Sequence, residues 1–165
     1  MNVNVGDFLA RRAAVTPDRE AYVDPQMGLR LSFSQLNERV NQLANALSSA
    51  GVNPGDRVGL CLMNSVEFLE SFLAVAKIGG VVVPLNWRLV ADELEFIIKD
   101  SGAETMIYGS EFHSVVSDLH SRGDKTDVVR WIEAGDAARV MSFAQHYDAV
   151  RDSGSVSEPS LGAIG

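Results

Sequence analysis

Cysteine is scarce in this chain, and acidic residues outnumber basic ones. Cys61 is the one cysteine among 165 residues, which excludes an intrachain disulfide and favours a reducing, cytoplasmic compartment. It lies in the apolar run RVGLCLM, which predicts a small buried hydrophobe and not a reactive thiol. The net charge is −8. Nucleic-acid binding requires a basic surface, so no nucleic-acid partner is expected.

Long hydrophobic runs are also missing. No stretch approaches the ~18 consecutive apolar residues of a membrane span. The N-terminal sequence MNVNVGDFLARRAA lacks the basic start and the long apolar core of a signal peptide. No amphipathic basic helix is evident, so the sequence leaves membrane contact open.

Glycine-rich phosphate loops and nucleophile motifs are absent as well. Gly79 and Gly80 are adjacent but precede a predicted strand. Nucleotide loops place their glycines after a strand and before a helix, so that backbone N–H groups face the phosphate. The pair instead predicts a helix end with close backbone approach. There is no G-x-S-x-G motif for a nucleophilic serine, and no catalytic residue is predicted.

Histidines and carboxylates do not form a convincing metal site. His113 and His120 are seven residues apart and share a helix face. Two helical turns is too far for both to reach one ion directly, because the usual spacing is four residues. Asp92, Glu93 and Glu95 begin a predicted helix, where carboxylates complement the helix dipole. No metal ligand is predicted.

The hydrophobic pattern that is present predicts an α/β fold. A small β-hairpin comes first, with strands at Ala21–Val23 and in LRLSF, and Ser32 with Gln35 predicts a capping box at the next helix. From Arg57 onward the pattern alternates strand and helix, which predicts a mostly parallel sheet with flanking helices. We assign residues 1–150 to this α/β unit. Serine, glycine and proline dominate residues 151–165, which predicts a linker or frayed end.

Three further details of this pattern are specific enough to be tested by a structure. The apolar run Val81–Pro84 predicts a buried strand. Ser142 predicts the N-cap of a short last helix. The third helix predicts a wide apolar face, formed by the residues Val66, Phe68, Leu69, Phe72, Leu73 and Ala76.

The segment VPLNWRL carries the candidate binding residues. Asn86 and Trp87 offer an amide and an aromatic face, and Arg88 is a permanent cation with a planar fork suited to phosphate. In α/β proteins, ligands bind at the carboxyl ends of the strands. In the alternative, structural interpretation, Trp87 covers the core and Arg88 forms an ion pair with Asp92 or Glu93.

Several segments in order resemble the N-terminal part of the AMP-forming acyl-CoA synthetases, members of the adenylate-forming ligase superfamily. LSFSQLNERVNQLANAL resembles the family's Thr-Tyr-x-Glu-Leu helix start. GVNPGDRVGLCLMNSVEFLESFLAVAKIGGVVVPLN resembles its Gly-(Val/Ile)-x-x-Gly-Asp-Arg-Val strand and the helix leading to Lys-x-Gly-Ala-x-x-x-Pro-Leu-Asn. The similarity is clear over residues 5–110 and looser beyond. Ser32-Phe33, Gln35 and Gly80 are mild departures from the family's usual Thr-Tyr, Glu and Ala.

The main difference from the family's pattern is a missing loop. The family's Ser/Thr/Gly-rich loop ending in Pro-Lys-Gly, which holds ATP phosphates, is not in this chain, and the chain ends at Gly165 about where that loop's strand would begin. The resemblance therefore implies the N-terminal subdomain of the adenylate-forming ligase fold. We expect the segment alone to be inactive.

The resemblance implies a two-step ligase that uses ATP, Mg²⁺ and CoA on a carboxylic acid, with a fatty acid as the default. In acyl-CoA-forming members, the arginine just after the Pro-Leu-Asn stretch lies near the channel for the CoA nucleotide. The matching residue here is Arg88, with Trp87 and Asn86 beside it, and these three are the CoA-channel candidates. None of the three cofactors is expected to bind this segment tightly on its own.

Two other interpretations remain open at this point. The chain could be a stand-alone, non-catalytic binding or assembly module derived from a ligase domain. A small nucleotide binder of the Rossmann type is disfavoured because no phosphate loop is present. If the chain is part of a larger enzyme, apolar surface exposed by truncation should make it self-associate.

Overall fold

The computed structural model describes residues 5–160. The helices are α1 (Asp7–Val15), α2 (Phe33–Ser49), α3 (Val66–Lys77), α4 (Ala91–Ser101), α5 (His113–Ser121) and α6 (Tyr147–Asp152). The strands are β1 (Glu20–Asp24), β2 (Leu29–Ser32), β3 (Arg57–Cys61), β4 (Val81–Pro84), β5 (Thr105–Gly109), β6 (Arg130–Ala134) and β7 (Gln145–His146).

The strands form two sheets. β1 and β2 pair as an antiparallel hairpin, and the other five strands form a sheet in the order β4-β3-β5-β6-β7. Every neighbouring pair in the larger sheet is parallel. The predicted fold class, a parallel α/β sheet preceded by a small hairpin, is confirmed.

Helices cover both faces of the larger sheet, which explains the near-continuous apolar character of its central strands. In β5, Ile107 packs with α2, α3 and the hairpin, in one core. Its neighbours Met106 and Tyr108 point the other way, into a second core with α4 and α5. Cys61 belongs to the second core and is fully buried, as its sequence context predicts.

Local signals set the helix ends as the sequence predicts. At α2, the Gln35 amide donates to Ser32 Oγ over 3.2 Å and the Ser32 amide donates to Gln35 Oε1 over 2.9 Å, so the capping box is present. Beyond α3, Gly79 has a φ of 74°, a left-handed conformation that glycine adopts without steric cost.

The prediction that Val81–Pro84 is a buried strand is wrong. β4 lies at an edge of the sheet, and Val81 is 46% exposed. A run of valines shows that a strand forms but does not show whether it has one neighbour or two. Pro84 is compatible with an edge because a proline has no N–H to donate to a second neighbour.

The predicted apolar face of α3 is only partly correct. Val66 is buried, but Phe72 is 37% exposed, and the fully buried positions include Glu70 and Ser71. The charged residue Glu70 takes a core position because partners on α2 and α6 satisfy its carboxylate. Helical spacing alone cannot show such partners.

Ser142 does not cap the last helix. α6 begins at Tyr147, its N-cap is His146, and no side chain bonds to its first turn. The strand β7 (Gln145–His146), which is parallel to β6, lies between Ser142 and the helix. Among the helices of residues 5–160, none is both long and apolar enough to cross a membrane.

Candidate functional site

The carboxyl ends of the five parallel strands meet at one edge of the sheet, where ligands bind in folds of this type. Four segments emerge there, each after a different strand. They are residues 62–65 after β3, 85–90 after β4, 110–112 after β5 and 135–139 after β6. The candidate residues 86–88 lie at this edge, as their place after a strand predicts.

Residues 86–89 form a compact turn at this edge. The Arg88 amide donates to Asn86 Oδ1 over 3.1 Å, and the Leu89 amide donates to the Asn86 carbonyl, also over 3.1 Å. Asn86 therefore fixes the turn with its side-chain oxygen. Asparagine commonly does this in turns, so the contact can be expected from the sequence. The side-chain amide nitrogen of Asn86 takes no part in these two hydrogen bonds, and the residue is exposed.

The turn presents a cation stacked on an aromatic ring. The guanidinium carbon of Arg88 lies 4.6 Å from the centroid of the Trp87 ring. Trp87 is 40% exposed and Arg88 is exposed, so the stacked pair faces solvent. A planar guanidinium held in this way keeps its N–H groups directed outward, where they can bind a phosphate.

The structural alternative for these residues finds little support. The Asp92 carboxylate pairs with Arg122 over 2.7 Å, and Glu93 Oε2 accepts the Val90 amide over 3.2 Å at the start of α4. Both carboxylates that could have neutralised Arg88 are used elsewhere. Within residues 5–160, no ion pair of Arg88 is found, and an exposed Trp87 does not cover the core.

Two shallow cavities lie farther along the same edge. One, of about 280 Å³, is lined by Ser110, Glu111, His113, Asp136 and Arg139. The other, of about 160 Å³, shares Ser110 and Glu111 and reaches residues that follow β3 and β6. Residues 86–88 line neither of these two cavities. The structure thus places the candidate turn beside β3, on the opposite side from the loops after β5 and β6.

A buried carboxylate contacts His113, which lines the larger cavity. Glu133 of β6 has no exposed surface, and it accepts hydrogen bonds from Tyr108 Oη over 2.8 Å and from the Met141 amide over 3.0 Å. His113 Nε2 lies 2.5 Å from Glu133 Oε1. This carboxylate therefore orients the imidazole that lines the cavity.

The partners of Glu133 determine its protonation. Burial by itself would raise the pKa of Glu133, but the contacts with His113, the Met141 amide and Tyr108 lower it below the usual value. Burial and the nearby Glu133 carboxylate raise the pKa of Tyr108, so its phenol stays a donor. The sequence signal for this network is a glutamate within the apolar run VVRWIEA, and no prediction above rests on that glutamate.

His113 and His120 do share a helix face, as their spacing predicts, but they serve different contacts. His120 stacks on Phe143 with 3.7 Å between ring centroids and 5° between planes, while His113 contacts Glu133. Within residues 5–160, no three histidine, cysteine or acidic side chains come together to hold a metal ion. This part of the chain does not fit a magnesium site, so no step is assigned to Mg²⁺ here.

A second buried carboxylate lies on the other side of the sheet. Glu70 of α3 has no exposed surface; it forms an ion pair with Arg39 and accepts a hydrogen bond from Tyr147 Oη over 2.9 Å. Burial raises the pKa of Glu70, against the opposing effect of Arg39 and Tyr147. This cluster joins α2, α3 and α6, so we regard it as structural.

Comparison with known proteins agrees with this architecture. The chain belongs to the AMP-binding enzyme family, whose sequence profile matches residues 9–160. A similar protein is the long-chain-fatty-acid–CoA ligase FadD13 of Mycobacterium tuberculosis, 40% identical over 153 residues, which are 92% of this chain and 30% of that protein. Feruloyl-CoA synthase of Amycolatopsis sp is 39% identical over 118 residues, which are 72% of this chain and 24% of that protein.

Solved structures show the same fold. A fatty acyl CoA synthetase from Mycobacterium tuberculosis superposes with a TM-score of 0.86 at 36% identity, over 98% of this chain and 30% of that one. The inhibitor-bound N-terminal domain of FACL13 from the same organism gives 0.85 at 36% identity, over 98% of this chain and 38% of that one. The chain therefore spans about a third of the length of the relatives it matches.

Proposed function

We propose that this chain is the N-terminal part of an AMP-forming acid–CoA ligase. The observation that carries the proposal is the match to the AMP-binding enzyme family over residues 9–160, together with similarity to a long-chain-fatty-acid–CoA ligase over 92% of the chain. In the reaction, a substrate carboxylate attacks the α-phosphorus of ATP and pyrophosphate leaves. The CoA thiol, losing its proton, then attacks the acyl carbon and AMP leaves.

A fatty acid is the acid that we propose. Similarity to FadD13 extends over more of the chain than similarity to the relatives named for other acids, such as feruloyl-CoA synthase. Relatives named for ferulate, a cholestenoate and carnitine share this segment. The segment is therefore common to ligases of different acids, and we place the choice of acid in parts of the enzyme outside it.

In this proposal the Arg88 turn contributes to CoA binding. Its outward guanidinium would bind a phosphate of the CoA nucleotide, and Trp87 would hold the guanidinium plane in place. Asn86 fixes the turn by accepting the Arg88 amide. None of these residues contacts the reacting atoms in this role, so the first step should not depend on them.

Arg88→Ala in the complete ligase tests this role. We expect the KM for CoA to rise about tenfold or more, the effect of losing a charge-assisted phosphate contact, while acid-dependent ATP–pyrophosphate exchange is unchanged. Arg88→Lys should recover only part of the loss, because a lysine keeps the charge but not the planar stacking. Arg30→Ala is the matched control, since Arg30 lies on the hairpin and pairs with Glu20. An unchanged KM for CoA in Arg88→Ala would contradict the role.

Sequencing the locus beyond codon 165 tests the proposal as a whole. A reading frame that continues into a Ser/Thr/Gly-rich loop ending in Pro-Lys-Gly would support a ligase whose chemistry lies downstream. A stop codon directly after Gly165 would overturn it for this protein and favour a non-catalytic binding or assembly role.

A further inference from the structure

Three asparagines at four-residue intervals mark one face of α2. They are Asn37, Asn41 and Asn45, and residues four apart on a helix are neighbours. The Asn45 side-chain amide donates to the carbonyls of Ser155 and Ser157 over 2.7 and 2.8 Å. The Asn41 amide donates to the Val156 carbonyl over 2.9 Å. Residues 155–158, which we call the strap, therefore lie along α2 with three consecutive carbonyls held by side chains.

An ion pair fixes the end of the strap. Lys77 of α3 is 4% exposed, and its Nζ donates to Glu158 Oε2 over 2.6 Å. The same ammonium donates to Asn37 Oδ1 over 2.7 Å and to Asn41 Oδ1 over 2.6 Å. The Asn37 and Asn41 amides donate in turn to Glu158 Oε1, over 2.6 and 3.1 Å. The Glu158 carboxylate of the strap thus pairs with the buried Lys77 ammonium.

Close packing fixes the start of the strap independently of charge. A Cβ atom at Gly154 would overlap the carbonyl oxygen of Gln42 and would lie 2.9 Å from the Ala46 amide nitrogen. The backbone at this position therefore packs directly on the backbone of α2, which glycine alone permits without displacement. Sterics at one end and charge at the other define one path for the segment.

We propose that Lys77 is a positioning residue, which acts through Glu158 to hold the strap on α2 and to set the direction of the chain beyond Ser160. In the ligase, that direction leads toward the loop that binds ATP phosphates. This last part rests on the proposed function; the strap itself rests only on the contacts above.

Backbone ¹⁵N order parameters of the 165-residue chain test the strap. We expect values near 0.85 for residues 155–158, as in rigid backbone, and values below about 0.6 in Glu158→Ala, as in flexible backbone. The Glu158 side chain is 51% exposed, so this variant should fold. Lys77→Met and Gly154→Ala should release the strap by removing the ammonium and by steric exclusion, respectively.

Glu20→Ala is the matched control, because it removes the carboxylate of an exposed ion pair with Arg30. It should leave the strap's order parameters unchanged. Low order parameters for residues 155–158 in the unmodified chain would contradict the proposed strap. Order parameters that stay high in both Glu158→Ala and Lys77→Met would contradict it as well.

Kinetics of the complete ligase test the positioning role. We expect Glu158→Ala to raise the KM for ATP in pyrophosphate exchange about ten- to a hundredfold, the cost of a misplaced binding group, with the KM for CoA unchanged. A loosened strap with an unchanged KM for ATP would overturn the role of Lys77. If the unmodified enzyme catalyses no pyrophosphate exchange, the proposed ligase function is wrong. The order parameters of residues 155–158 would still test the strap independently.

Discussion

Four charged side chains within residues 5–160 are buried: Glu70, Lys77, Glu133 and Arg151. A buried charge is costly unless it is paired and hydrogen-bonded. Glu70, Lys77 and Arg151 each form an ion pair, and Glu133 accepts hydrogen bonds from Tyr108 and the Met141 amide and contacts His113. Glu70 of α3 pairs with Arg39 of α2, and Glu133 of β6 accepts a hydrogen bond from Tyr108 of β5, so each of these two charges joins two elements. Lys77 of α3 pairs with Glu158 of the strap, whereas Arg151 pairs with Asp148 of its own helix. At the residue scale, these pairs define how the helices and strands of this unit fit together.

Glu133→Gln tests the carboxylate beside the larger cavity. At pH 7 we expect the substitution to lower the free energy of unfolding by about 1–3 kcal/mol, because a glutamine cannot accept from all three donors. The folded-state pKa of Glu133 lies below its unfolded value, so its contribution is present above about pH 4.3 and is lost as the pH falls through the folded pKa. The difference between the two proteins should therefore shrink below that pH.

Urea denaturation between pH 7 and pH 3 measures this difference. Glu20→Gln is the control, since its ion pair with Arg30 is exposed and exposed pairs contribute little. A pH-independent difference between Glu133→Gln and the unmodified chain would contradict the assigned network.

Sequence reasoning reached some of these residues and missed others for a physical reason. The burial of Cys61 follows from its apolar neighbours in one strand. The exposed Asn86, Trp87 and Arg88 could be singled out because turn residues after a strand are local signals. Glu133 and Lys77 could not, because the groups that stabilise them lie 25 and 81 residues away in sequence.

At the scale of elements, helix ends depend on single side chains that do or do not reach the backbone. Ser32 accepts the Gln35 amide at the start of α2, whereas Ser142 makes no capping contact with α6. The same local chemistry predicts both serines as caps. They differ because β7 occupies the residues just before α6.

Ser32→Ala and Ser142→Ala form a matched pair that tests this difference. We expect Ser32→Ala to lower the free energy of unfolding by about 1 kcal/mol, the usual cost of losing an N-cap. Ser142→Ala should change it by less than about 0.5 kcal/mol, as for most surface substitutions. Equal losses in urea denaturation would show that the capping assignment is wrong.

Element order was predictable, whereas strand order was not. Alternating strand and helix patterns from Arg57 onward predict parallel pairing, which the structure confirms. They do not reveal that β3 lies between β4 and β5. The valines of β4 satisfy the pattern of a central strand. Within residues 5–160, however, β4 has only β3 beside it, because position in a sheet depends on long-range packing.

At the scale of the whole molecule, apolar surface remains uncovered. Phe72, Val81 and Phe96 are 37%, 46% and 70% exposed, and within the described residues β4 pairs on one side only. Exposed apolar side chains and strand edges favour association. We therefore expect the 165-residue chain to self-associate as its concentration rises and to bind an apolar dye.

Sedimentation velocity over a hundredfold concentration range, with dye fluorescence measured on the same samples, checks this expectation. Val81→Lys places a charge on the exposed edge and should shift the chain toward monomer. Val58→Lys is unsuitable as a control, since Val58 is fully buried. Glu104→Gln, at an exposed carboxylate, changes the net charge by the same one unit and is the matched control. A monomer at every concentration with no dye binding would contradict the expectation.

The strap also bears on where this unit can be cut from a longer polypeptide. Composition suggests a boundary at residue 150, where serine, glycine and proline begin to dominate. A protein that ended at residue 150 would expose Asn41, which is now 2% exposed, to water. It would also lack the Glu158 carboxylate that pairs with the Lys77 ammonium. Charge balance in the interior therefore places the end of the smallest self-sufficient unit at or beyond Glu158.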